Sequence, residues 1–245
     1  MAIPQKLPCL VERIINHGDQ VYTVILRPER PVPKFRPGQF LHLALDAYDA
    51  SGFWPDSRVF SIASSPLQRD RLRITYSVRG RFTARMEAEL AEENQVWIKL
   101  PYGEFIIDPG ADVVLIAGGT GITAFSAFLE EMGPEVKNAV YLAYGARSRA
   151  LLIDRDTIWN RARNASSFKV VFFVERNGDS RLSTGESDPI HRLGCLSVAA
   201  LWPIIRSPRE AIFYLSGPPA MLRDVSRDLS LLGISAGAIK VDAWE

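Results

Sequence analysis

Hydrophobic and polar positions change rhythm partway along this chain. Up to about residue 108 the apolar residues fall in short alternating or β-branched runs: Val21 to Leu26, Phe40 to Leu45, Arg71 to Val78 and Val96 to Leu100. Turn-forming residues stand between them, as in Arg36-Pro37-Gly38, Pro55-Asp56-Ser57 and Pro101-Tyr102-Gly103. Alternation with a period of two marks strands that turn one face to a core. Many short strands with frequent turns predict an antiparallel barrel or sandwich. One helix is predicted in this half, Phe82 to Glu92, with Phe82, Met86 and Leu90 on one face and acids toward its end.

Beyond this point the apolar runs become continuous. Val113-Val114-Leu115-Ile116-Ala117, Ala139 to Tyr144, Lys169 to Val174 and Ile212 to Leu215 read as strands buried on both faces. Between them, Ile122 to about Met132, Leu151 to Arg161 and Met221 to Leu232 read as helices. Strands alternating with helices predict a doubly wound parallel sheet. The change of period places a domain boundary at Asp108-Pro109-Gly110, with a β-barrel domain over 1–108 and an α/β domain over 109–245. Residues 177–208, punctuated by Ser, Gly and Pro, read as an extended connection with a helix around Leu196 to Leu201.

Composition narrows the chemistry. Hydrophobic residues make up 47% of the 245 and charged ones 23%, the balance of a globular protein with a core. No run approaches the roughly 20 apolar residues of a membrane helix. The N-terminus MAIPQKLPCLVER lacks the layout of a signal peptide. A cytoplasmic protein without membrane contact is therefore expected. Lys and Arg total 29 against 28 Asp and Glu, a net charge of +1 that gives no electrostatic basis for nucleic-acid binding. Cys9 and Cys195 are the only cysteines, which excludes a disulfide scaffold, a four-cysteine zinc site and a protein-ligated iron–sulfur cluster. No metal site is expected.

Four short constellations carry candidate chemistry. After the strand Val113 to Ala117 comes Gly118-Gly119-Thr120-Gly121 and then a helix. Unpaired N–H groups and the positive dipole end of a helix favour a phosphate there, and glycines let it approach the backbone. The same four residues would also serve as a tight turn that binds nothing. Arg58-Val59-Phe60-Ser61-Ile62-Ala63-Ser64 places Arg58, Phe60 and Ile62 on one strand face. That pair suits either a phosphate with a planar ring or an exposed Arg beside a core Phe. In Gly80-Arg81-Phe82-Thr83, Thr83 sits where a helix N-cap would be, either as an ordinary cap or as part of a second anion site. Ser216-Gly217-Pro218-Pro219-Ala220-Met221 follows the apolar strand Ile212 to Leu215 at the sheet's carboxyl edge. Open α/β sheets bind ligands at that edge, although a plain strand-to-helix loop reads the same way.

Taken in order, these motifs resemble those of the ferredoxin–NADP reductase family of flavoproteins, over nearly the whole chain from Cys9 to Glu245. Arg58-Val59-Phe60-Ser61 resembles the family's Arg-x-Tyr-Ser flavin motif, and Gly80-Arg81-Phe82-Thr83 its Gly-x-x-Ser/Thr pyrophosphate turn. Gly118-Gly119-Thr120-Gly121-Ile122-Thr123 is similar to its nicotinamide-nucleotide glycine motif, and Ser216 to Met221 to its Cys-Gly-Pro-x-x-Met. Pro37-Gly38-Gln39-Phe40 and Leu100-Pro101-Tyr102-Gly103-Glu104-Phe105 also stand at the matching places. The resemblance implies a six-stranded antiparallel flavin barrel followed by a nicotinamide domain, and an NAD(P)H-dependent FAD reductase that passes electrons to an external acceptor. It implies Arg58 on the flavin phosphates, Phe60 stacked on the isoalloxazine and Ser61 near its N5. Gly80, Phe82 and Thr83 would hold the pyrophosphate, the reason for FAD rather than FMN. Gly118, Gly119, Thr120 and Gly121 would face the pyrophosphate of NADPH or NADH, with Gly217, Pro218 and Met221 beside the nicotinamide end.

The chain departs from the pattern at three positions. Phe60 replaces Tyr and loses its hydroxyl, Ala124 replaces Pro at a helix start, and Ser216 replaces a Cys that the family keeps near the nicotinamide. Trp244 reads either as a lid over the flavin or as a tail packed on the core. Arg147, Arg149 and Arg176 lean toward the 2′-phosphate of NADPH, and Glu175 leans toward NADH. Between 69 and 85, Arg69, Arg71, Arg73, Arg79, Arg81 and Arg85 stand with one acid, Asp70. They read as solvated strand arginines or as a dock for an acidic electron carrier such as ferredoxin or flavodoxin. A reductase subunit of an oxygenase, a free-flavin or ferric reductase, and a flavin-binding module with little turnover complete the alternatives.

Overall fold

The computed structural model describes residues 3–133, 137–175 and 190–242. The chain divides into two compact units, one of residues 1–106 with 123–131, the other of residues 107–122 with 132–245.

The first unit holds six antiparallel strands: β1 (Gln5–Asn16), β2 (Val21–Pro28), β3 (Phe40–Ala44), β4 (Ser57–Ser61), β5 (Leu72–Ser77) and β6 (Gln95–Tyr102). Their order across the sheet is β4-β3-β6-β1-β2-β5. The alternation seen in the sequence is the cause: Leu7, Cys9 and Val11 of β1, Leu41 and Leu43 of β3, Leu72 and Ile74 of β5, and Val96, Ile98 and Leu100 of β6 all point into one core. The edge strands nearly close the barrel, because just past β4 the N–H of Ala63 donates to the carbonyl of Arg73 in β5 at 2.8 Å. Helix α1 (Arg81–Glu89) follows β5 and buries Met86 on the barrel. Two sequence fragments interlock here. Gly38 has φ +93°, and a Cβ on it would lie 2.0 Å from the carbonyl oxygen of Phe105. Gly103, at φ +98°, is packed under the ring of Phe40. Only glycine fits either place, which is why Pro37-Gly38-Gln39-Phe40 and Tyr102-Gly103-Glu104-Phe105 occur together.

The second unit holds six parallel strands. These are β7 (Val113–Gly118), β8 (Val140–Ala146), β9 (Phe168–Val174), β10 (Ile190–Leu193), β11 (Ile212–Ser216) and β12 (Ile239–Asp242), in the order β10-β9-β8-β7-β11-β12. All of β7 is buried, as its unbroken apolar run requires. Helices α2 (Thr123–Glu131), α3 (Arg155–Asn164), α4 (Val198–Leu201) and α5 (Pro219–Leu231) connect the strands. Although α2 follows β7 in the chain, it clusters with the barrel unit. The antiparallel barrel and the doubly wound parallel sheet are those predicted. Of the proposed 177–208 connection, residues 177–189 lie outside the described residues, and the helix near its end is α4. No helix among the described residues is long and apolar enough to cross a membrane, and none of their His, Cys, Asp and Glu groups could hold a metal ion.

Candidate functional site

The sheet of the second unit reverses its winding at β7. From there the chain steps outward through β8, β9 and β10 on one side and through β11 and β12 on the other. A crevice forms at the carboxyl ends of the strands at such a switch point. The strands that flank it end level, with Ser216 beside Ala117 in the ladder. Both predicted glycine loops start there, the Gly119–Ile122 turn after β7 and the Gly217–Pro218 turn before α5.

The two loops pack against each other, and this explains their glycines. A Cβ on Gly121 would lie 2.3 Å from the carbonyl oxygen of Ser216, and one on Gly118 would lie 2.6 Å from Sδ of Met221 and 2.8 Å from Cδ of Pro218. Gly217, at φ +152°, is held within 2.9 Å of the N–H of Gly118, measured from the place of its missing Cβ. Gly119 differs: its φ of +55° favours glycine, yet a Cβ there meets nothing within 4 Å. The open side of the nest is therefore at Gly119, and the other glycines are required by packing. A loop with backbone N–H groups, room at one glycine and no acid in its first turn fits a nucleotide phosphate.

Ser216 is 5% exposed, and its Oγ donates to Oδ2 of Asp242 at 2.9 Å, a partner that the sequence did not suggest. The pairing of Ser216 with Asp242 in adjacent parallel strands is what sets this contact. At the next strand end, the buried hydroxyl of Tyr144 accepts from the N–H of Ile153 at 3.0 Å and donates to the carbonyl of Leu151 at 3.2 Å. Burial holds that phenol well above its ordinary pKa, so it stays neutral. It anchors the loop that presents Arg147 and Arg149 to solvent. Glu175 is exposed beside them, its N–H bonded to the carbonyl of Ala146. Arg176 and Trp244 lie outside the described residues.

In the barrel unit, Arg58 is exposed on β4, and Ser61 is half-buried at its end opposite Phe40. Phe60 is 8% exposed and lies against Tyr76, ring centroids 6.2 Å apart, within the barrel's apolar cluster. Gly80 is the N-cap of α1, and a Cβ on it would meet nothing within 4 Å. Thr83 is thus the third residue of the helix and not its N-cap. Its Oγ1 accepts from the N–H groups of Arg79 (2.9 Å) and Gly80 (3.1 Å) and lies 3.1 Å from the Gly80 carbonyl. Phe82 is half-buried against the barrel core. Arg85 fastens the helix by pairing with Asp46 at 2.5 Å and Glu89 at 2.8 Å, which lowers the carboxyl pKa of Asp46. An exposed Arg58, open space over Gly80 and a first helical turn without acids fit a flavin diphosphate.

The arginine-rich stretch is largely paired within the protein. Arg71 grips Glu12 with two hydrogen bonds, Arg73 pairs with Glu130, Arg81 lies 3.6 Å from Asp56, and Nε of Arg69 donates to the carbonyl of Val32.

Comparison with known proteins agrees with this geometry. Residues 115–227 match the oxidoreductase NAD-binding domain family. The chain is 29% identical over 178 residues to the NAD(P)H-flavin reductase of Vibrio harveyi, covering 69% of this chain and 70% of that protein. It is 24% identical over 248 residues to the reductase component of propane 2-monooxygenase from Mycolicibacterium smegmatis, covering 97% of this chain and 66% of that protein. Its fold is similar to a ferredoxin NADP+ reductase from Neisseria gonorrhoeae solved with bound FAD and NADP, with a TM-score of 0.75, 19% identity and 99% of both chains covered. Residues 115–227 thus match an oxidoreductase NAD-binding domain, and the fold over nearly the whole chain is that of the ferredoxin NADP+ reductase.

Proposed function

We propose that the protein is an NAD(P)H-dependent FAD reductase, with FAD on residues 1–108 and the nicotinamide nucleotide on residues 109–245. The observation that carries this reading is the pair of interlocked glycine loops at the switch point, in which Gly119 alone of the loop glycines has open space where a Cβ would stand. Bound FAD would supply the chemistry, taking two electrons from the nicotinamide and releasing them singly. The chain's own residues bind and orient. Arg58 and the N-terminus of α1 at Gly80 to Thr83 neutralise the flavin diphosphate, and Ser61 offers a hydroxyl at the flavin edge. Phe60 is the aromatic residue next to Ser61 that the reading puts nearest the flavin ring. Gly119 and Thr120 receive the nucleotide pyrophosphate, while Gly118, Gly121, Gly217, Pro218 and Met221 fix the shape of that cradle.

Arg147, with Arg149 and Arg176, gives a slight preference for NADPH, since a guanidinium suits a 2′-phosphate. A strong KM preference for NADH would reverse that assignment. The acceptor is an external one, a ferredoxin, a flavodoxin or an oxygenase component, in keeping with the reductase component among the relatives. Free flavin is the alternative that the flavin reductase relative suggests. One observation favours a second reading, a flavin-binding module with little turnover: the Ser216 hydroxyl is directed to Asp242. Purified protein should be yellow, release FAD on denaturation and bleach rapidly with NADPH under anaerobic conditions. A bound flavin that stays oxidised supports the module, and a colourless protein that takes up neither FAD nor FMN overturns both readings.

A further inference from the structure

The seam where the barrel closes lies directly after Ser61. The N–H of Ile62 donates to the carbonyl of Gln39 at 3.0 Å, and that of Ala63 to the carbonyl of Arg73 at 2.8 Å. Arg73 returns the contact twice: its backbone N–H donates to Oγ of Ser64 at 3.2 Å, and its guanidinium donates to the carbonyl of Ala63 at 2.9 Å. The same guanidinium nitrogen reaches Oε1 of Glu130 at 2.6 Å, in the last turn of α2. The other oxygen of that carboxylate accepts the N–H of Ser65 at 2.9 Å. One half-buried carboxylate therefore clips together β5 and the strand end that carries Ser61.

The remainder of α2 cannot turn independently of this clip. Thr123 to Leu129 are all buried, so the nine-residue helix is held along its length. The chain passes from the Gly119–Ile122 turn into Thr123 with no residue between. A shift at Glu130 is transmitted along a stiff rod to the helix start.

We propose that Glu130 and Arg73 are positioning residues for flavin reduction: their ion pair fixes the segment from Ser61 to Ser65 to the helix that begins at the glycine turn. This inference rests on the reductase reading above and adds the groups that hold in place the segment carrying Ser61, whose hydroxyl that reading puts at the flavin edge. Rate is far more sensitive to such placement than binding is, since misplacement by about 1 Å costs on the order of a hundredfold in rate.

The test is stopped-flow anaerobic reduction of the FAD-loaded protein over a range of NADPH and NADH concentrations. Glu130→Gln keeps an oxygen for the Ser65 N–H and removes the charge that Arg73 needs. Arg73→Lys keeps the charge and loses the planar guanidinium whose one nitrogen reaches both Ala63 and Glu130. Both variants should reduce at a limiting rate lower by about tenfold or more. The apparent nucleotide dissociation constant should move by less than about twofold, and FAD affinity and melting temperature should stay near wild type. Glu131→Gln, one residue on, should match wild type. Wild-type limiting rates in Glu130→Gln would overturn the inference, as would a loss of rate that only follows loss of FAD or of folded protein. A wild-type flavin that stays oxidised would instead sink the reductase reading itself, so the two failures are told apart.

Discussion

Gly119 and Gly121 sit two positions apart in one turn, and the structure gives them opposite reasons for being glycine. At Gly121 a methyl group would meet the backbone of Ser216 at 2.3 Å, and backbone cannot rotate away. Gly121→Ala should therefore lower the unfolding free energy by about 1–3 kcal/mol through overpacking, read from urea denaturation. At Gly119 the penalty is only the left-handed φ of +55°, about 1–2 kcal/mol for an alanine, while the methyl projects into open space. Gly119→Ala should hence raise the KM for the nicotinamide nucleotide more than any change in kcat; an unaltered KM would place the phosphate elsewhere. The sequence shows a glycine cluster after a buried strand and so locates the loop. It cannot show which glycine faces a ligand, because the packing partner of Gly118 and Gly121 lies about a hundred residues away. The bond from Ser216 to Asp242, 26 residues further on, is hidden for a related reason, since it depends on two strands becoming neighbours through the sheet topology.

Elements were legible where one local pattern decided them. The run Val113 to Ala117 became β7 because a strand with helices on both faces needs apolar residues throughout. The helix predicted over Leu151 to Arg161 instead begins at Arg155, since Leu151 closes a short 3-10 turn (Arg149–Leu151) and Leu152 and Ile153 follow it as a buried approach, tied down by the Tyr144 hydroxyl. That tether is tertiary and overrides the apparent helical spacing. It also governs the loop that carries Arg147. In Tyr144→Phe the buried N–H of Ile153 loses its acceptor, at a cost of about 1–3 kcal/mol in stability. The loosened loop should raise the KM for NADPH relative to that for NADH at nearly constant kcat. If both KM values move together, the loop has no part in reading the 2′-phosphate.

At the scale of the molecule, the switch from alternating to continuous apolar runs was enough to predict a barrel followed by a parallel sheet, because each rhythm answers to a different burial geometry. What the rhythm does not encode is ion pairing across sequence, and that decides both the fate of the arginine-rich stretch and the acid response of the fold. His42 stands on β3 beside Phe40 and Tyr102, and partial burial, aided by the charge of Lys99, lowers its pKa below the usual value for a histidine. The unfolded chain therefore takes up a proton at higher pH than the native barrel does, and stability must fall as the pH drops below about 6.5. Glu12 and Asp46, whose pKa values are lowered by Arg71 and Arg85, add their losses only at lower pH, as it falls through the ordinary carboxylate range. Glu131 acts in the opposite sense, since burial raises its pKa and favours the protonated native form. Among these four groups the first acid-side loss thus belongs to His42. Urea midpoints measured between pH 7.5 and 5.5 should fall in the wild type and stay nearly level in His42→Gln, whereas parallel falls in both proteins would assign the loss to another group.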